Sequence, residues 1–408
     1  MKNMLKGNAV VGQSGGPTAA INATLSGVIR GAKEQKGIQT LFGMKNGIEG
    51  FLNEQLVDLT QLVCTEEDHK LLECTPAAAL GSCRKKLPAD PSDPIYDQIF
   101  ALIQKYDIRY FFYIGGNDSM DTVNKLSICA QKRNYEIYFM GVPKTIDNDL
   151  EGTDHTPGFG SAAKFVATTV CEIARDCAVY TIPAVTIVEI MGRDAGWLTA
   201  AAGLPALSGE PAADFIYLPE RVFDADQFIL DIHQKLTQKP NLVIAVSEGL
   251  KDQNGKYVGE ATQSGSTDIF GHKYLAGTAR QLEQLVKEKI GCKVRSVELS
   301  LPQRCAGHLQ SKQDIEDSVL VGREAVRYAV DGQTASIAAI RREPGEKYAV
   351  HIDCVPVAQV ANKIRTVPSE WITSNNVKKE LLTYLQPLIE GQTEVPYQNG
   401  IPKHFIIP

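Results

Sequence analysis

Four short apolar runs, each followed at once by glycine and small polar residues, mark the pattern of this chain. They read "NAVVGQSGG", "YFFYIGGNDS", "AVTIVEIMGRDAG" and "LVIAVSEG". Strands that are buried on both faces of a sheet appear in sequence as continuous hydrophobic runs rather than as alternating ones. Each run therefore predicts a buried β-strand that ends in a tight turn.

The segments between these runs have a helical pattern. "TAAINATLSGVIRGAKEQ", "MDTVNKLSICAQKR" and "SAAKFVATTVCEIARDCA" place small or apolar residues at spacings of three and four. Alternation of strand, glycine turn and helix is typical of open parallel α/β sheets, whose ligands gather at the carboxyl ends of the strands. We therefore expect the glycine turns to converge in space.

Length and composition limit the number of domains and the class of ligand. At 408 residues and 44.5 kDa the chain is larger than most single cores, so two domains are expected. Hydrophobic residues make up 43% and charged residues 22%, as in ordinary soluble globular proteins. The net charge of −6 argues against nonspecific nucleic-acid binding, so an anionic ligand would need a local cluster of basic side chains.

The cysteines and the apolar segments indicate a cytoplasmic location. The nine cysteines are scattered without a C-x-x-C pair, and the seven histidines lack metal-ligand spacing, which favours a reduced compartment. The first residues reach glycine and glutamine before an apolar stretch of signal-peptide length develops. The longest weakly polar run, "GWLTAAAGLPALSG", is broken by Gly203 and Pro205 and is too short for a membrane span.

Two glycine turns are candidate phosphate sites. In "GQSGGPTAAIN", Gly15 and Gly16 stand between a strand and a helix, where backbone amides and the positive helix end can receive a phosphate. Such turns are also common as plain packing devices, and this stretch alone does not decide between the two interpretations. The turn "GGNDS" is a second candidate, but its Asp118 would repel a polyphosphate unless it holds a metal or excludes part of a competing ligand.

The stretch "GVPKTIDNDL" carries Lys144, Asp147 and Asp149 after another apolar run. Two carboxylates at i and i+2, with a base just before them, suit Mg²⁺ coordination together with proton abstraction from a hydroxyl. The structural alternative is an Asx-rich turn beside a solvated lysine.

Basic residues that could form the required cluster follow several other runs. Arg193 in "EIMGRDAGW" and Glu248 in "AVSEG" each follow a strand, while "KVRSVELSLPQRCAGH" offers Arg295 and Arg304. "ALGSCRKKLP" adds Arg84 to Lys86, a run that could instead be a solvated surface but whose position after "LGSC" favours function. Arginine is well shaped to bind phosphate through two parallel hydrogen bonds.

The motifs "SGG", "GGNDS", "PKTIDND", "MGR", "SEG" and "QR", in this order and at these separations, resemble the phosphofructokinase family, and the similarity runs from about residue 8 to "YLQPLIEG". The resemblance implies an α/β fold of two Rossmann-like three-layer domains with mostly parallel sheets and an active site in the cleft between them. We predict a phosphoryl-donor domain from residues 1–160 plus about 305–350, and a sugar-phosphate domain from about 161–304 plus 351–408.

The resemblance gives Asp118 and Lys144 a role in the choice of phosphoryl donor. ATP-dependent members usually read GGDGS and PGTIDND, with glycines at these two positions, whereas an acid and a lysine are characteristic of the pyrophosphate-dependent branch, which this chain resembles. The resemblance implies that Asp118 occupies the space the α-phosphate of ATP would need, and that Lys144 binds pyrophosphate. It further implies reversible, Mg²⁺-dependent phosphoryl transfer from pyrophosphate to the 1-hydroxyl of fructose 6-phosphate, serving glycolysis and gluconeogenesis.

The resemblance also assigns roles residue by residue. Asp147 matches the general base, with Asp149 as its polar or metal-side partner, and Asn117 replaces an aspartate that helps bind Mg²⁺ in ATP-dependent relatives. The predicted catalytic residues are Asp147, Lys144, Asp118 and Arg193; the predicted donor-binding residues are Gly15, Gly16, Arg84 and Ser119; and the predicted sugar-phosphate contacts are Thr145, Ile146, Asp147, Asp149, Met191, Gly192, Arg193, Glu248, Arg295 and Arg304.

Two features depart from the usual pattern or receive no role. Many relatives carry an arginine that reaches across a dimer interface to the sugar phosphate, at the position where this chain has Ala184. The segment "DIFGHKYLAGTARQLEQL" also resembles pyrophosphate-type proteins, and we give its His272 no catalytic role. The family resemblance implies a homodimer or homotetramer, and Ala184 leaves open a different interface.

Three other functions are compatible with parts of the sequence. An ATP-dependent phosphofructokinase would differ at the donor pocket, where Asp118 and Lys144 argue against it. NAD and lipid kinases share the glycine-glycine-acid turn but lack the "TIDND", "MGR" and "SEG" series. An inactive regulatory subunit of the same fold would commonly lose the base, so retention of Asp147, Asp149 and Arg193 argues against that interpretation.

Overall fold

The computed structural model describes residues 5–259 and 277–408, which include two parallel β-sheets covered by helices. His272 lies outside the described residues. The larger sheet has seven strands in the order β11-β10-β5-β4-β1-β2-β3. Its strands are β1 (Gly7–Gln13), β2 (Ile38–Met44), β3 (Leu56–Asp58), β4 (Ile108–Gly115), β5 (Tyr138–Pro143), β10 (Ser336–Arg342) and β11 (Val350–Pro356).

The central strands of this sheet are parallel, and only the two edge pairs, β2 with β3 and β10 with β11, are antiparallel. Successive residues of β1 point to opposite faces. Val11 packs into the apolar layer beneath α1 (Ile21–Glu34) and α12 (Lys312–Val330), and Val10 packs into the layer beneath α5 (Pro94–Lys105) and α6 (Asn117–Lys132). The sheet therefore forms the middle of three layers, which is why its central strands carry continuous apolar runs.

The smaller sheet has four parallel strands in the order β7-β8-β6-β9. These are β6 (Ala184–Ile190), β7 (Phe215–Tyr217), β8 (Asn241–Ser247) and β9 (Lys293–Glu298). In β6, Val188 packs into the core that includes α7 (Phe159–Cys177), whereas Ile187 packs into the core that includes α9 (Ala225–Leu236) and α10 (Thr278–Lys289). This second sheet is likewise covered on both faces. A short antiparallel pair, β12 (Tyr397–Gln398) and β13 (Ile401–Pro402), lies near the end of the chain.

The α-helices follow the strands as the periodicity predicted. They are α1 (Ile21–Glu34), α2 (Gly47–Leu52), α3 (Leu59–Leu62), α4 (Glu66–Cys74), α5 (Pro94–Lys105), α6 (Asn117–Lys132), α7 (Phe159–Cys177), α8 (Trp197–Ala200), α9 (Ala225–Leu236), α10 (Thr278–Lys289), α11 (Pro302–Cys305), α12 (Lys312–Val330) and α13 (Lys379–Leu385). Across the two described ranges, none of them combines the length and the apolar character that crossing a bilayer requires.

The four apolar runs are β1, β4, β6 and β8, so the predicted α/β fold with mostly parallel sheets is confirmed. The first sheet extends through Pro356, because β11 pairs along its whole length with β10. The predicted limit between the two domains, at about residue 350, falls at the start of this strand. The division into a donor and a sugar-phosphate domain stays a prediction.

Candidate active site

The carboxyl ends of β1, β4 and β5 bring the first group of predicted residues together. Beyond the ends of these strands, the amide of Ser14 donates to the carbonyl of Ile114 over 2.9 Å, and the amide of Lys144 donates to the carbonyl of Gly115 over 3.0 Å. Three consecutive strands of the sheet therefore align their turns at one edge, as parallel topology requires. We call this the donor edge: Gly15, Gly16, Asn117, Asp118 and Lys144.

Lys144 lies at the centre of the donor edge. Its side chain is buried, and Nζ donates to the carbonyl oxygen of Gly16 over 2.5 Å. Gly15 has φ +77°, a conformation that favours glycine, and a Cβ there would lie 3.6 Å from Lys144 Nζ. The glycine turn thus wraps closely around the ammonium group.

The pKa of Lys144 is lowered to about 8, mainly by burial. The charge of Asp147 opposes this shift, the positive charges of Arg304 and Arg84 add to it, and Asp149 makes a smaller opposing contribution. Arg304, in α11, also approaches the glycine turn, since a Cβ on Gly16 would lie 3.5 Å from its Nη1. Burial and the nearby Arg84 lower the pKa of Arg304 as well. Lys144, Arg304 and Arg84 thus lie close together. They form the local cluster of basic side chains that an anionic ligand of this acidic protein would need.

Asp118 is the second residue of α6 and pairs with a basic neighbour. Its Oδ1 lies 3.1 Å from Nζ of Lys86, and 35% of its side chain is exposed. Asn117 precedes it, and the buried Oδ1 of Asn117 has no hydrogen-bond partner among the residues described. Ser119 is buried and packs against Gly115, so its side chain supports the turn.

The loop after β5 presents the two carboxylates. Asp147 and Asp149 flank Asn148, which has φ +55° and is completely buried. The Asn148 side chain holds this turn, because its Oδ1 accepts from the amide of Thr156 over 3.1 Å. The amide of Asp147 donates to Oγ1 of Thr145 over 3.2 Å, so the loop is closed on itself by local hydrogen bonds.

Both carboxyl groups are shifted toward neutrality. Burial raises the pKa of Asp147, while the charges of Lys144 and Arg193 lower it. Burial and then the charge of Asp147 raise the pKa of Asp149 to about 7. A carboxylate whose pKa approaches the working pH is better suited to accept a proton in a reaction than an ordinary aspartate is.

The second sheet supplies the opposite wall, which we call the sugar edge: Met191, Gly192, Arg193, Glu248 and Gln303. The amide of Gly192 donates to Oε1 of Glu248 over 3.3 Å, and the amide of Met191 donates to Oε1 of Gln303 over 3.1 Å. Gly192 has φ +137°, and a Cβ there would lie 2.6 Å from the carbonyl of Ala195, so glycine is required.

Glu248 is tied electrostatically to the loop of the first sheet. Its pKa is raised to about 8, mainly by burial; the hydrogen bond from the Gly192 amide lowers it, the charges of Asp147 and Glu189 raise it, and Arg193 lowers it. Because the charge of Arg193 acts on both Asp147 and Glu248, the two edges lie close enough to serve one cleft. The cleft thus combines basic side chains and carboxyl groups from both sheets.

Two predicted residues are placed differently from the rest. The side chain of Ile146 is buried in the apolar core around α7, which leaves only its backbone for a ligand. Arg295 lies in the middle of β9, paired with Thr186, and faces Asp176 at 3.9 Å. Thr186 precedes Met191 by five residues, about 16 Å along a strand, so Arg295 is not in the cleft of its own chain.

Gln303 and Asp194 lie at the site but were not among the residues predicted from the sequence. Gln303 is buried and links the Met191 turn to the carbonyl of Ser300. Burial is the main cause of the raised pKa values of Asp147 and Asp149, and the charge of Asp194 raises both a little further. Gln303 precedes Arg304 in "QR", and Asp194 follows Arg193 in "MGRD". The motifs identified the arginines, but they gave no indication of what the neighbouring residues contact.

In the described ranges, no cluster of three or more His, Cys, Asp or Glu side chains has the arrangement of a metal site. The unpartnered Oδ1 of Asn117 is nevertheless an oxygen ligand of the kind that Mg²⁺ accepts. Mg²⁺ in phosphoryl-transfer sites is commonly bound through one or two carboxylates plus the phosphates of the substrate. Asn117 would supply an uncharged amide oxygen in place of one such carboxylate.

Comparison with known proteins agrees with this geometry. The family model for phosphofructokinase matches residues 8–328. The pyrophosphate--fructose 6-phosphate 1-phosphotransferase of Xanthomonas campestris is 41% identical over 407 residues, covering 98% of this chain and 96% of the relative. The protein of the same name from Halomonas elongata is 38% identical over 406 residues, with the same two coverages.

A solved structure extends the agreement to three dimensions. The pyrophosphate-dependent phosphofructokinase of Nitrosospira multiformis superposes with a TM-score of 0.87 at 35% identity, covering 98% of this chain and 96% of the other. The resemblance drawn from six short motifs is thereby confirmed over nearly the whole length. The chain belongs to the phosphofructokinase family.

Proposed function

We propose that this chain transfers a phosphoryl group reversibly from pyrophosphate to the 1-hydroxyl of fructose 6-phosphate, giving fructose 1,6-bisphosphate and phosphate. The observation that carries the proposal is the donor edge, where Lys144 is buried against the glycine turn and Asp118 lies in the first turn of α6. Relatives that are 38–41% identical bear the name of this activity.

The donor edge explains the choice of pyrophosphate. A buried ammonium group close to two arginines is stabilised when an anion binds, and a small, highly charged diphosphate can reach it. The carboxylate of Asp118 at the start of α6 would repel the additional phosphate of a nucleoside triphosphate. Donor specificity thus arises from attraction at Lys144 and repulsion at Asp118.

The chemistry of the acceptor follows from the loop between the two edges. Asp147 takes the proton of the 1-hydroxyl as that oxygen attacks the terminal phosphorus, and Lys144, Arg84 and Arg304 neutralise the charge on the transferring group. Glu248 and the Met191 and Gly192 turn orient the sugar. Asn117 would hold Mg²⁺ beside the donor, and the ion would supply further charge neutralisation there.

Arg295 fits this account only if two chains cooperate. It lines a surface groove formed by Asp176, Tyr180, Ile182, Lys293 and Arg295, which we call the β9 groove, and Ala184 lines the same groove. Ile182 is 52% exposed there, so apolar surface surrounds the arginine. We infer a homodimer in which the Arg295 side chain of one copy reaches the sugar phosphate in the cleft of the other.

Hybrid dimers test the inferred contribution of Arg295. Co-expressed Asp147→Asn and Arg295→Ala chains with different tags should give dimers with one intact site if Arg295 acts on the other copy. Activity at low fructose 6-phosphate should then approach about half that of the wild type. An arginine acting within its own chain would leave both sites defective, and the hybrids would show no recovery.

The reaction itself is tested by following both directions. Purified protein with Mg²⁺, pyrophosphate and fructose 6-phosphate should form fructose 1,6-bisphosphate, and fructose 1,6-bisphosphate with phosphate should return pyrophosphate. Formation of neither product would contradict the proposed function.

A further inference from the structure

One arginine far along the chain contacts the loop that carries the two carboxylates. After β11, the chain crosses the Asp147 loop. Ile364 forms a β-bridge with Leu150, and the amide of Arg365 donates to the carbonyl of Asp149 over 2.8 Å. Leu150 is completely buried, so this crossing is anchored in the core. Residues separated by more than 200 positions thereby share one backbone pairing.

The side chain of Arg365 extends the same contact. Its Nε donates to the carbonyl of Asn148 over 3.3 Å, and its Nη1 donates to the carbonyl of Asp154. These two carbonyls lie on either side of the turn that holds Asp149. A single guanidinium group therefore fixes the entry and the exit of the loop, which a planar fork of donors does better than a single ammonium group could.

Asn148 is the point at which such fixing has the largest effect. It adopts φ +55° between Asp147 and Asp149, so its backbone sets the directions of both carboxylates. A left-handed residue of this kind persists when its surroundings hold it. Thr156 holds the Asn148 side chain and Arg365 holds its carbonyl.

Arg365 also joins this loop to the second sheet. Its guanidinium lies 4.3 Å from the ring centroid of Trp197, whose Nε1 donates to the Arg365 carbonyl over 2.9 Å. Trp197 follows Arg193 by four residues and begins α8. The amide of Val367, two residues after Arg365, donates to Glu220 over 2.9 Å. The loop of the base and the turn of the sugar edge are thus fastened to the same segment.

We propose that Arg365 is a positioning residue that orients Asp147 and Asp149 for phosphoryl transfer and couples their loop to the sugar edge. The inference rests on the proposed function of that site. In this role Arg365 acts through the Asn148 carbonyl and the Asp149 backbone rather than on the substrate.

Arg342 provides a matched control. It meets the same neighbours, because its Nε and Nη2 donate to Oδ1 of Asp154 over 3.2 and 3.0 Å and its Nη1 donates to the carbonyl of Tyr384 over 2.9 Å. Its guanidinium stacks on Tyr384 at 4.4 Å, as that of Arg365 stacks on Trp197. The two arginines are therefore similar in packing, but Arg365 carries the bonds to Asn148.

The experiment compares Arg365→Lys and Arg365→Ala with Arg342→Lys and Arg342→Ala, all assayed with pyrophosphate and with ATP. The Arg365 variants should lose about 100-fold in kcat, the loss expected from a misplacement of about 1 Å, with KM for both substrates nearly unchanged. Guanidinium ion added at low concentration should restore part of the kcat of Arg365→Ala. Thermal melting separates folding from positioning: the two Ala variants should lose similar amounts of Tm, while Arg342→Ala retains kcat.

Two outcomes would overturn the inference by itself: Arg365 variants that keep kcat within about threefold of an active wild type, or Arg342 variants that lose as much kcat as the Arg365 variants at equal Tm. A wild-type chain that is inactive with both donors would instead overturn the proposed function, and this inference with it. The wild-type measurement therefore separates the two failures.

Discussion

The donor edge and the sugar edge are built from the same parts, a strand end followed by a glycine turn, yet the buried ionisable group is an amine on one edge and a carboxyl group on the other. Burial lowers the pKa of Lys144 on one edge to about 8 and raises the pKa of Glu248 on the other to about 8. Each group is thus held away from its ordinary charge by the removal of water. The difference indicates that one edge is prepared for an anion and the other for hydroxyl groups that donate hydrogen bonds.

Asp147 stands where the two edges meet, so its loss should have the largest effect. Asp147→Asn keeps the shape and the bond to Thr145 but cannot take a proton, and kcat should fall about 1,000-fold. Pyrophosphate and fructose 6-phosphate binding, measured by calorimetry, should change little because the cations and Glu248 remain. A kcat within tenfold of the wild type would remove Asp147 from the role of base.

The next effect breaks the donor edge alone. The double substitution Asp118→Gly with Lys144→Gly should lower kcat/KM for pyrophosphate about 100-fold, because it removes a buried charge-assisted contact. Turnover with ATP should become measurable as the repelling carboxylate is lost. The two single variants separate these contributions: Lys144→Gly should weaken pyrophosphate use, and Asp118→Gly should admit ATP. Unchanged pyrophosphate kinetics in the double variant would refute the exclusion argument.

The smallest effect concerns pH and sharpens the comparison between the edges. Lys144 carries its charge below its lowered pKa of about 8 and loses it above, so kcat/KM for pyrophosphate should fall above pH 8, at most tenfold per pH unit. Lys144→Met should start lower and lack this fall. The ratio of wild-type to variant values at each pH cancels the titration of pyrophosphate itself.

Glu248 provides the control for this profile, because its pKa is raised to a similar value on the sugar edge. Glu248→Gln should weaken fructose 6-phosphate use and leave the fall above pH 8 in place. A fall that persists in Lys144→Met but disappears in Glu248→Gln would assign the titration to the sugar edge instead.

Local signals in the sequence were enough for the strands, their helices and most of the cleft. A continuous apolar run such as that of β4 ends where the turn begins, and parallel topology then brings the turns of β1, β4 and β5 to one edge. The rule places Lys144 and Asp147 at one edge of the first sheet, and Met191 and Glu248 together at one edge of the second. Their chemical roles came from the family resemblance and stay predictions.

Long-range contacts could not be read in the same way. Arg365 reaches the Asp147 loop only because the chain returns from β11, and no spacing along the sequence encodes that return. The strand β11 itself continues the first sheet past the predicted limit, since pairing depends on the partner β10 as well as on its own pattern. Arg295 has a motif position but depends on a second chain for its proposed role.

The central claim is that the donor edge selects pyrophosphate, and a donor comparison tests it most directly. Purified protein with fructose 6-phosphate and Mg²⁺ should be assayed for fructose 1,6-bisphosphate with pyrophosphate or with ATP at matched concentrations. The account predicts turnover with pyrophosphate and none with ATP. Turnover with ATP alone would contradict it, because the site would then accept the donor that Asp118 and Lys144 are proposed to exclude.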